Sequence, residues 1–590
     1  MKRKIQSFLG LYRFFQLCWK NDKIYVLHLF LLQIYTAASG ILVVMVPQRI
    51  IDATFIAQDL REALTIAIVF SVGILGLNVL MALSNRMIMS HRMIIYKKFQ
   101  LSISNMMMHI DFKDLESEHF LDIKAKAERF LFGDGRGFGY VLESGFGIIS
   151  QLVTLLVMAG VVVHLNPVIL ITLVVILVIN ARVNTATQQK NIRINQEKAV
   201  YERTSNYYSH VAQDFRYGKD IRNYGASGWI LGRYENLLDG MQEFYERMAV
   251  NGFCYETAVS LTSMVQQAIS YLYVVYCGVM KLITVGQFSM YLSAISSFSS
   301  TLKSLTGTII AMQQYTQYYE DYDTYMSYQR RVDTGKAVGA FTHRIVFEHV
   351  SFRYPGQARN ALTDINFEIT AGEKLLIVGE NGAGKSTLIK LLLRLYVPTE
   401  GRILLDGMDI NEMSIQEYNR LFATVFQDYN LFACPITENV AMGQDYDKNK
   451  IKEIMELLHL DGKIAKLPKG VETNLYKEFD EHGFTPSGGE GQKIAIARAI
   501  YRNAPIVVMD EPTAALDPRA EEELYQMLES VFADKTAIFI SHRLSTASMC
   551  DRIISLKDGN IIENDTHENL IQEDGLYSNL YRMQSERYAI

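Results

Sequence analysis

The segment Gly379-Glu-Asn-Gly-Ala-Gly-Lys-Ser-Thr carries the most explicit chemistry in the chain. Glycines at this spacing let the backbone wrap around an anion with its N–H groups turned inward, and a Lys-Ser/Thr pair follows at the head of a predicted helix. The apolar run Leu375-Leu-Ile-Val precedes it and reads as a buried strand. Strand, glycine loop and helix together form a phosphate-binding loop, with the positive end of the helix adding to the cradle. Gly379, Asn381, Gly382, Gly384 and Thr387 are the expected lining. Lys385 is expected to reach the β and γ phosphates of ATP, and Ser386 to ligate Mg²⁺.

A second apolar run, Ile506-Val-Val-Met, ends in two carboxylates, Asp510 and Glu511. By itself such a strand end could be a solvated terminus. Downstream of a phosphate loop it supplies what phosphoryl transfer needs: Asp510 to hold the metal's water shell and Glu511 to polarise the attacking water. Between the two lies Pro486-Ser-Gly-Gly-Glu-Gly-Gln-Lys, followed by the helical run Ile494-Ala-Ile-Ala-Arg-Ala.

That segment resembles the LSGGQ signature of the ATP-binding-cassette (ABC) transporter family, and the other motifs stand in family order around it. Tyr354 in Phe-Arg-Tyr-Pro sits where the family stacks an aromatic ring on adenine. Gln427 matches the glutamine that senses metal and γ-phosphate. Ala514-Ala-Leu-Asp517 matches the D-loop, and His542 in Ser-His-Arg matches the switch histidine. The resemblance covers the whole second half of the chain. It implies a head-to-tail pair of cassettes, in which Ser487, Gly488 and Gly489 of one close on the ATP of the other and Asp517 joins the nucleotide site. It assigns Glu511, His542 and Gln427 to hydrolysis, and Ser386, Gln427 and Asp510 to the metal. The sequence departs from the family form at Pro486 (usually Leu), Glu490 (usually Gln), Ala514 (usually Ser) and Tyr476-Lys-Glu-Phe-Asp-Glu-His-Gly, where exporters commonly have Gly-Glu-Arg-Gly. These departures bear on cassette closure and coupling. None removes a group that performs hydrolysis.

The elements that must position this chemistry belong to a chain of 590 residues, too long for one compact core. Apolar residues make up 49% and charged residues 21%, a blend of membrane and soluble character. The net charge of -5 gives no sign of a nucleic-acid partner, and five scattered cysteines suggest neither a disulfide frame nor a zinc site. A bilayer span needs about 20 mostly apolar residues. Six spans are expected near 24–46, 64–84, 143–164, 167–183, 255–280 and 287–312. Short turns join the third to the fourth at Asn166-Pro167 and the fifth to the sixth at Thr284-Val285-Gly286. The segments after spans two and four are long, helical in pattern and rich in Lys and Arg, among them Arg86, Arg92, Lys97, Lys98, Arg193, Lys198 and Arg203. By the positive-inside rule both segments and both termini face the cytoplasm. Each span pair should extend well beyond the membrane before turning, near Phe130–Gly137 and near Phe215–Tyr224.

The expected fold is therefore an α-helical six-span transmembrane domain (1–330) with two cytoplasmic coupling segments, a linker (331–342) and an α/β P-loop ATPase domain (343–590). Membrane domain before cassette resembles the exporter branch. The family likeness places the second coupling segment at Gln213–Ala226 and the first near Arg129–Gly135. His109-Ile-Asp-Phe-Lys-Asp-Leu-Glu-Ser-Glu and the PSGGE signature look most like bacterial peptide or bacteriocin exporters. The expectation is an ATP-driven primary active transporter in a bacterial plasma membrane, exporting a peptide, lipid or drug-like substrate by alternating access. Its partners would be a second copy of itself, or else a sister half-transporter, with membrane lipid around it. The alternatives are an exporter-fold importer or lipid flippase, and an ATP-gated channel or regulatory subunit. Within the spans, Glu143, Glu256 and Lys303 are candidates for the substrate pathway, because ionisable groups there are costly and tend to face a bundle interior or water. Span five also offers Gln266, Gln267, Tyr271, Tyr273 and Tyr276, and span six Tyr291 and a run of serines.

Overall fold

Apolar helices far longer than a bilayer is thick dominate the first half of the chain in a computed structural model, which describes residues 2–132, 137–328, 333, 335–512, 518–541 and 544–588. The chain divides into two units. The N-terminal unit comprises Met1–Met108 and Leu121–Tyr328; the C-terminal unit comprises His109–Phe120 and Gln329–Ile590.

In the N-terminal unit α1 (Lys2–Asn21) is amphipathic and α2 (Lys23–Phe55) is the first apolar helix. Asp22 separates them and caps α2 by accepting from the Ile24 and Tyr25 N–H groups at 3.0 Å. In chain order there follow α3 (Leu60–Met108), α4 (Phe112–Leu115, which belongs to the C-terminal unit), α5 (Glu118–Phe132), α6 (Gly137–Leu165), α7 (Pro167–Gln213), α8 (Gly218–Asn223), α9 (Ser227–Val279) and α10 (Val285–Met326). α3, α7 and α9 have 49, 47 and 53 residues. At 1.5 Å per residue they reach about 70–80 Å, more than twice the ~30 Å hydrocarbon layer. Local chemistry sets the tight turns. Asn166 caps α7 through the Val168 N–H at 2.8 Å, with Pro167 in the first turn, where its missing N–H costs nothing. Thr284 and Gln287 form a reciprocal capping box at the head of α10. Within the unit α2 runs along α3, α7 along α9, and α10 along α6 and α2. Met158, Val162, Val274, Ala294 and Ile295 are fully or almost fully buried in its core.

Five helices among the described residues are long and apolar enough to cross a membrane: Lys23–Phe55, Leu60–Met108, Phe138–Leu165, Pro167–Asn195 and Ser227–Val279. The expected sixth span falls inside α10, which is continuous for 42 residues and carries many serines and tyrosines among its apolar residues. The chain between α7 and α9 reverses through a 3₁₀ turn (Phe215–Tyr217) and α8. The other expected reversal, near Phe130–Gly137, includes residues 133–136, which lie outside the described residues. The chain segregated with the C-terminal unit there is His109–Phe120: Phe112 packs edge-on against Tyr396 at 5.9 Å, and the Tyr396 hydroxyl donates to Glu116. The candidate intramembrane charges are paired. Lys303 Nζ lies 3.0 Å from Glu256, and Arg92 lies 3.0 Å from Glu143. All five cysteines are free.

The C-terminal unit holds two sheets. β1 (Arg344–Phe352), β2 (Leu362–Thr370), β4 (Glu400–Leu405) and β5 (Met408–Asp409) form an antiparallel sheet in the order β2-β1-β4-β5. β1 alternates buried and accessible positions over its first half, as the Ile345-Val-Phe-Glu pattern requires. The second sheet runs β10-β9-β3-β8-β7-β6, with β3 (Lys374–Gly379), β6 (Phe422–Val425), β7 (Ile506–Asp510), β8 (Thr536–Ile540) and β9 (Arg552–Lys557) parallel and β10 (Asn560–Asp565) an antiparallel edge. Every residue of β7 and β8 is buried, which explains their uninterrupted apolar runs.

β1 bulges at His349, which adopts φ 49° where the register slips against both neighbours. Gly401 of β4 lies opposite with φ +76°, and a Cβ there would drive into the His349 and Glu348 carbonyl oxygens. Gly401→Ala is therefore expected to destabilise the cassette by about 2 kcal/mol or more, seen as a lowered melting temperature. A wild-type melt would show that the bulge can move aside.

Candidate functional site

Parallel strands carry their ligands at their carboxyl ends, and β3 and β7 both end on the same edge of the sheet with β8 between them. β3 delivers the glycine loop and β7 delivers Asp510 and Glu511, so the fold brings together two motifs separated by more than a hundred residues. Gly384 makes the turn from loop to α11 (Lys385–Leu392) in a left-handed conformation, φ 106°. A side chain there would meet Leu362 at 2.7 Å and the Ala361 carbonyl at 2.9 Å, so the position needs glycine for both conformation and space.

Lys385 folds back over the loop, donating to the Gly379 carbonyl at 2.8 Å and the Glu380 carbonyl at 3.0 Å. Burial lowers its pKa, and the charges of Glu511 and Asp510 partly oppose that. Asp510 is 8% exposed, and burial first and the neighbouring Glu511 charge second raise its pKa to about 6. Lys385 and a hydrogen bond with Ser386 pull the other way. Glu511 holds φ 48°, a left-handed conformation uncommon for a side chain of this type, and its N–H donates to Ile540 at 2.9 Å. Strain of this kind concentrates at functional positions. The Gln427 amide donates to the Glu511 carboxylate at 2.9 Å, although the two residues are 84 apart in sequence.

Tyr354 is half-buried. Its hydroxyl lies 3.0 Å from Thr387 Oγ1, its ring meets Phe352 and Tyr396 edge-on, and the Lys390 ammonium sits 5.6 Å from its centroid. Ser487 heads the helix Gly488–Arg502, with Gly488 and Gly489 in its first turn. Gly379, Asn381, Gly382, Gly384, Lys385, Ser386 and Thr387 thus share one loop-helix junction, and Asp510, Glu511 and Gln427 converge on it. Asp517 and His542 lie outside the described residues. Sequence reasoning missed three residues that knit these parts together. The Tyr429 hydroxyl donates to the Gly488 carbonyl at 2.9 Å, tying the segment after Gln427 to the signature helix. Gln492 on that helix donates to the Glu511 carbonyl at 3.2 Å. Lys463 pairs with Glu490. Tyr429 and Gln492 lie within a few residues of recognised motifs; nothing in sequence points to Lys463.

A hydroxyl, an amide oxygen and a carboxylate at Ser386, Gln427 and Asp510 are hard oxygen donors of the kind Mg²⁺ takes, with phosphate and water completing its shell. Among the described residues no group of three or more His, Cys, Asp or Glu side chains could hold a metal by itself.

Comparison with known proteins agrees with this geometry. A family profile described as ABC transporter matches residues 362–514. The ATP-dependent lipid A-core flippase of Ralstonia nicotianae is 33% identical over 403 residues, 67% of this chain and 67% of that protein. The chain belongs to the ABC transporter family. The subtilin transport ATP-binding protein SpaT of Bacillus subtilis is 31% identical over 462 residues, 76% of this chain and 73% of that protein. A solved structure of a bacterial Atm1-family ABC exporter with ATP bound shares the fold, with a TM-score of 0.81 at 22% identity, covering 95% of this chain and 99% of the other. This ABC transporter is a multi-pass membrane protein of the exporter type, with membrane helices and an ATP-binding, ATP-hydrolysing cassette fused in one chain. ATP drives export across the membrane.

The buried Asp510 gives the nucleotide-free transporter a testable pH dependence. An unfolded Asp titrates near 3.9 and this one near 6, so between those values the folded state binds more protons than the unfolded state. Stability from this group therefore falls as pH rises through that window. The melting advantage of Asp510→Asn over wild type is expected to grow from about pH 4 to about pH 7 and then level off. A pH-independent difference would contradict the burial of the charge.

Proposed function

We propose that this transporter works as a dimer, a second copy of itself being favoured over a sister half-transporter, and exports an amphiphilic lipid or peptide across a bacterial plasma membrane by alternating access. The observation that carries the catalytic half is the convergence of Lys385, Asp510, Glu511 and Gln427 at the carboxyl edge of one sheet. Lys385 and the loop N–H groups bind the β and γ phosphates. Tyr354 stacks on adenine. Ser386, Asp510 and Gln427 would hold Mg²⁺, which would supply positive charge against the phosphates. Glu511 orients and polarises the attacking water, with Gln427 and His542 keeping it in place. Ser487, Gly488 and Gly489 close on the nucleotide of the opposite cassette, and the family likeness assigns Asp517 to the same site.

Coupling to the membrane is assigned to two cytoplasmic segments. One is Gln213–Ala226. The other, expected near Arg129–Gly135, is better assigned to His109–Phe120, because those residues segregate with the C-terminal unit through Phe112 and Glu116. The excess of Lys and Arg in the segments flanking these turns supports cytoplasmic termini. A sixth span in α10 completes three membrane hairpins. The Lys303–Glu256 pair, with Gln266 donating to Ser299 beside it, supports a polar stretch of the substrate path. The amphiphile class rests on the relatives, named for lipid A-core and for subtilin.

Glu511→Gln, purified in lipid nanodiscs, is expected to lose hydrolysis by about a hundredfold or more while still binding ATP, since it removes a general base without touching the phosphate cradle. EDTA should abolish wild-type turnover. Turnover near wild type in the variant would remove Glu511 from the role assigned to it.

A further inference from the structure

We propose that Lys463 is a positioning residue of the signature segment: by neutralising Glu490 it lets Ser487, Gly488 and Gly489 face the nucleotide of the opposite cassette. The inference rests on the reading above, in which that segment closes on the partner's ATP.

The helix Gly488–Arg502 begins with a reciprocal capping box. Ser487 Oγ accepts from the Glu490 N–H at 3.4 Å, and the Ser487 N–H donates to Glu490 Oε2 at 2.8 Å. Glutamine at this position would cap equally well. Capping therefore does not account for the carboxylate, whose charge is an addition to the motif. Its side chain is only 17% exposed and sits in the first helical turn, next to Gly489. A bare negative charge there would oppose the very anion that the turn's N–H groups attract.

The structure supplies the counter-charge from elsewhere in the chain. Lys463, on the short helix Asp461–Ile464, donates to Glu490 Oε1, and its ammonium lies 5.7 Å from the centroid of the Phe484 ring. Each carboxylate oxygen thus has its own partner, Oε2 the backbone and Oε1 the lysine. Burial alone would raise the pKa of Glu490, but Lys463 and the two Ser487 contacts bring it below the usual range, so the group is ionised at neutral pH. With the pair intact, the first turn is electrically balanced. The Ser487 hydroxyl accepts from Glu490 and keeps its proton to donate outward. Removing Lys463 leaves a half-buried anion beside the γ-phosphate position.

The test is ATPase kinetics in nanodiscs for wild type, Lys463→Met, Lys463→Arg, Glu490→Gln and the double variant Lys463→Met/Glu490→Gln. Lys463→Met is expected to raise KM for ATP about tenfold while kcat changes little, because an unpaired, poorly solvated charge weakens phosphate binding. The defect should shrink as salt rises, and Lys463→Arg should restore KM. The double variant should return KM to near that of wild type. Glu490→Gln alone should lower KM, since it leaves a lysine facing the phosphate. A wild-type KM in Lys463→Met, or a double variant that keeps the full defect, would overturn the proposal. Should Lys463→Met fail to fold, an unchanged or raised KM in Glu490→Gln would overturn it equally. Absent wild-type turnover, or turnover indifferent to Glu511→Gln, would instead overturn the reading on which it rests.

Discussion

Negative charge gathers at the carboxyl edge of the parallel sheet, where Glu511 and Asp428 push against the buried Asp510 and Lys385 pulls the other way, and that balance constrains the cassette. Lys385 answers Asp510 and Glu511 only in part, which is why burial can hold the Asp510 carboxyl near pKa 6. A triphosphate adds further negative charge to the same place. Positive character at the loop N–H groups and at the head of α11 answers that charge. The Glu490 carboxylate, which burial alone would disfavour, is likewise held ionised by the Lys463 ammonium and the Ser487 contacts.

The geometry that answers this constraint is held by a few long-range hydrogen bonds. Glu511 sits in a left-handed conformation that its neighbours must maintain, and it is tied by its N–H to β8, by its carbonyl to Gln492 and by its carboxylate to Gln427. Tyr429 joins the chain after Gln427 to Gly488. Glu511, Gln427 and the first turn of the helix Gly488–Arg502 therefore belong to one network inside a single cassette. A change in what Glu511 and Gln427 contact has a direct route to the helix headed by Ser487.

In the membrane unit, a different solvent imposes a different rule. Helices must satisfy their own backbone, and polar side chains within them must find one another. Lys303 with Glu256 is such a pair. α10 packs along α6 and α2 while carrying many serines and tyrosines, so the mean hydropathy of its apolar stretch is lower than that of the five apolar helices.

The nucleotide motifs, the order of membrane and cassette halves, the tight turns at Asn166-Pro167 and Thr284–Gly286, and the buried strands of β3 and β7 were legible in sequence. Each is a local matter: a glycine that permits a turn, a side chain that caps its own helix, an apolar run of strand length. The convergence of Gln427 on Glu511, the pairing of Lys463 with Glu490, and the segregation of His109–Phe120 with the C-terminal unit were not legible. These depend on which surfaces come together when distant segments pack, and a single sequence carries no distance information between residues far apart along the chain. Local chemistry therefore determined which groups this transporter possesses, while the sheet's strand order and the helix packing decided which of them meet.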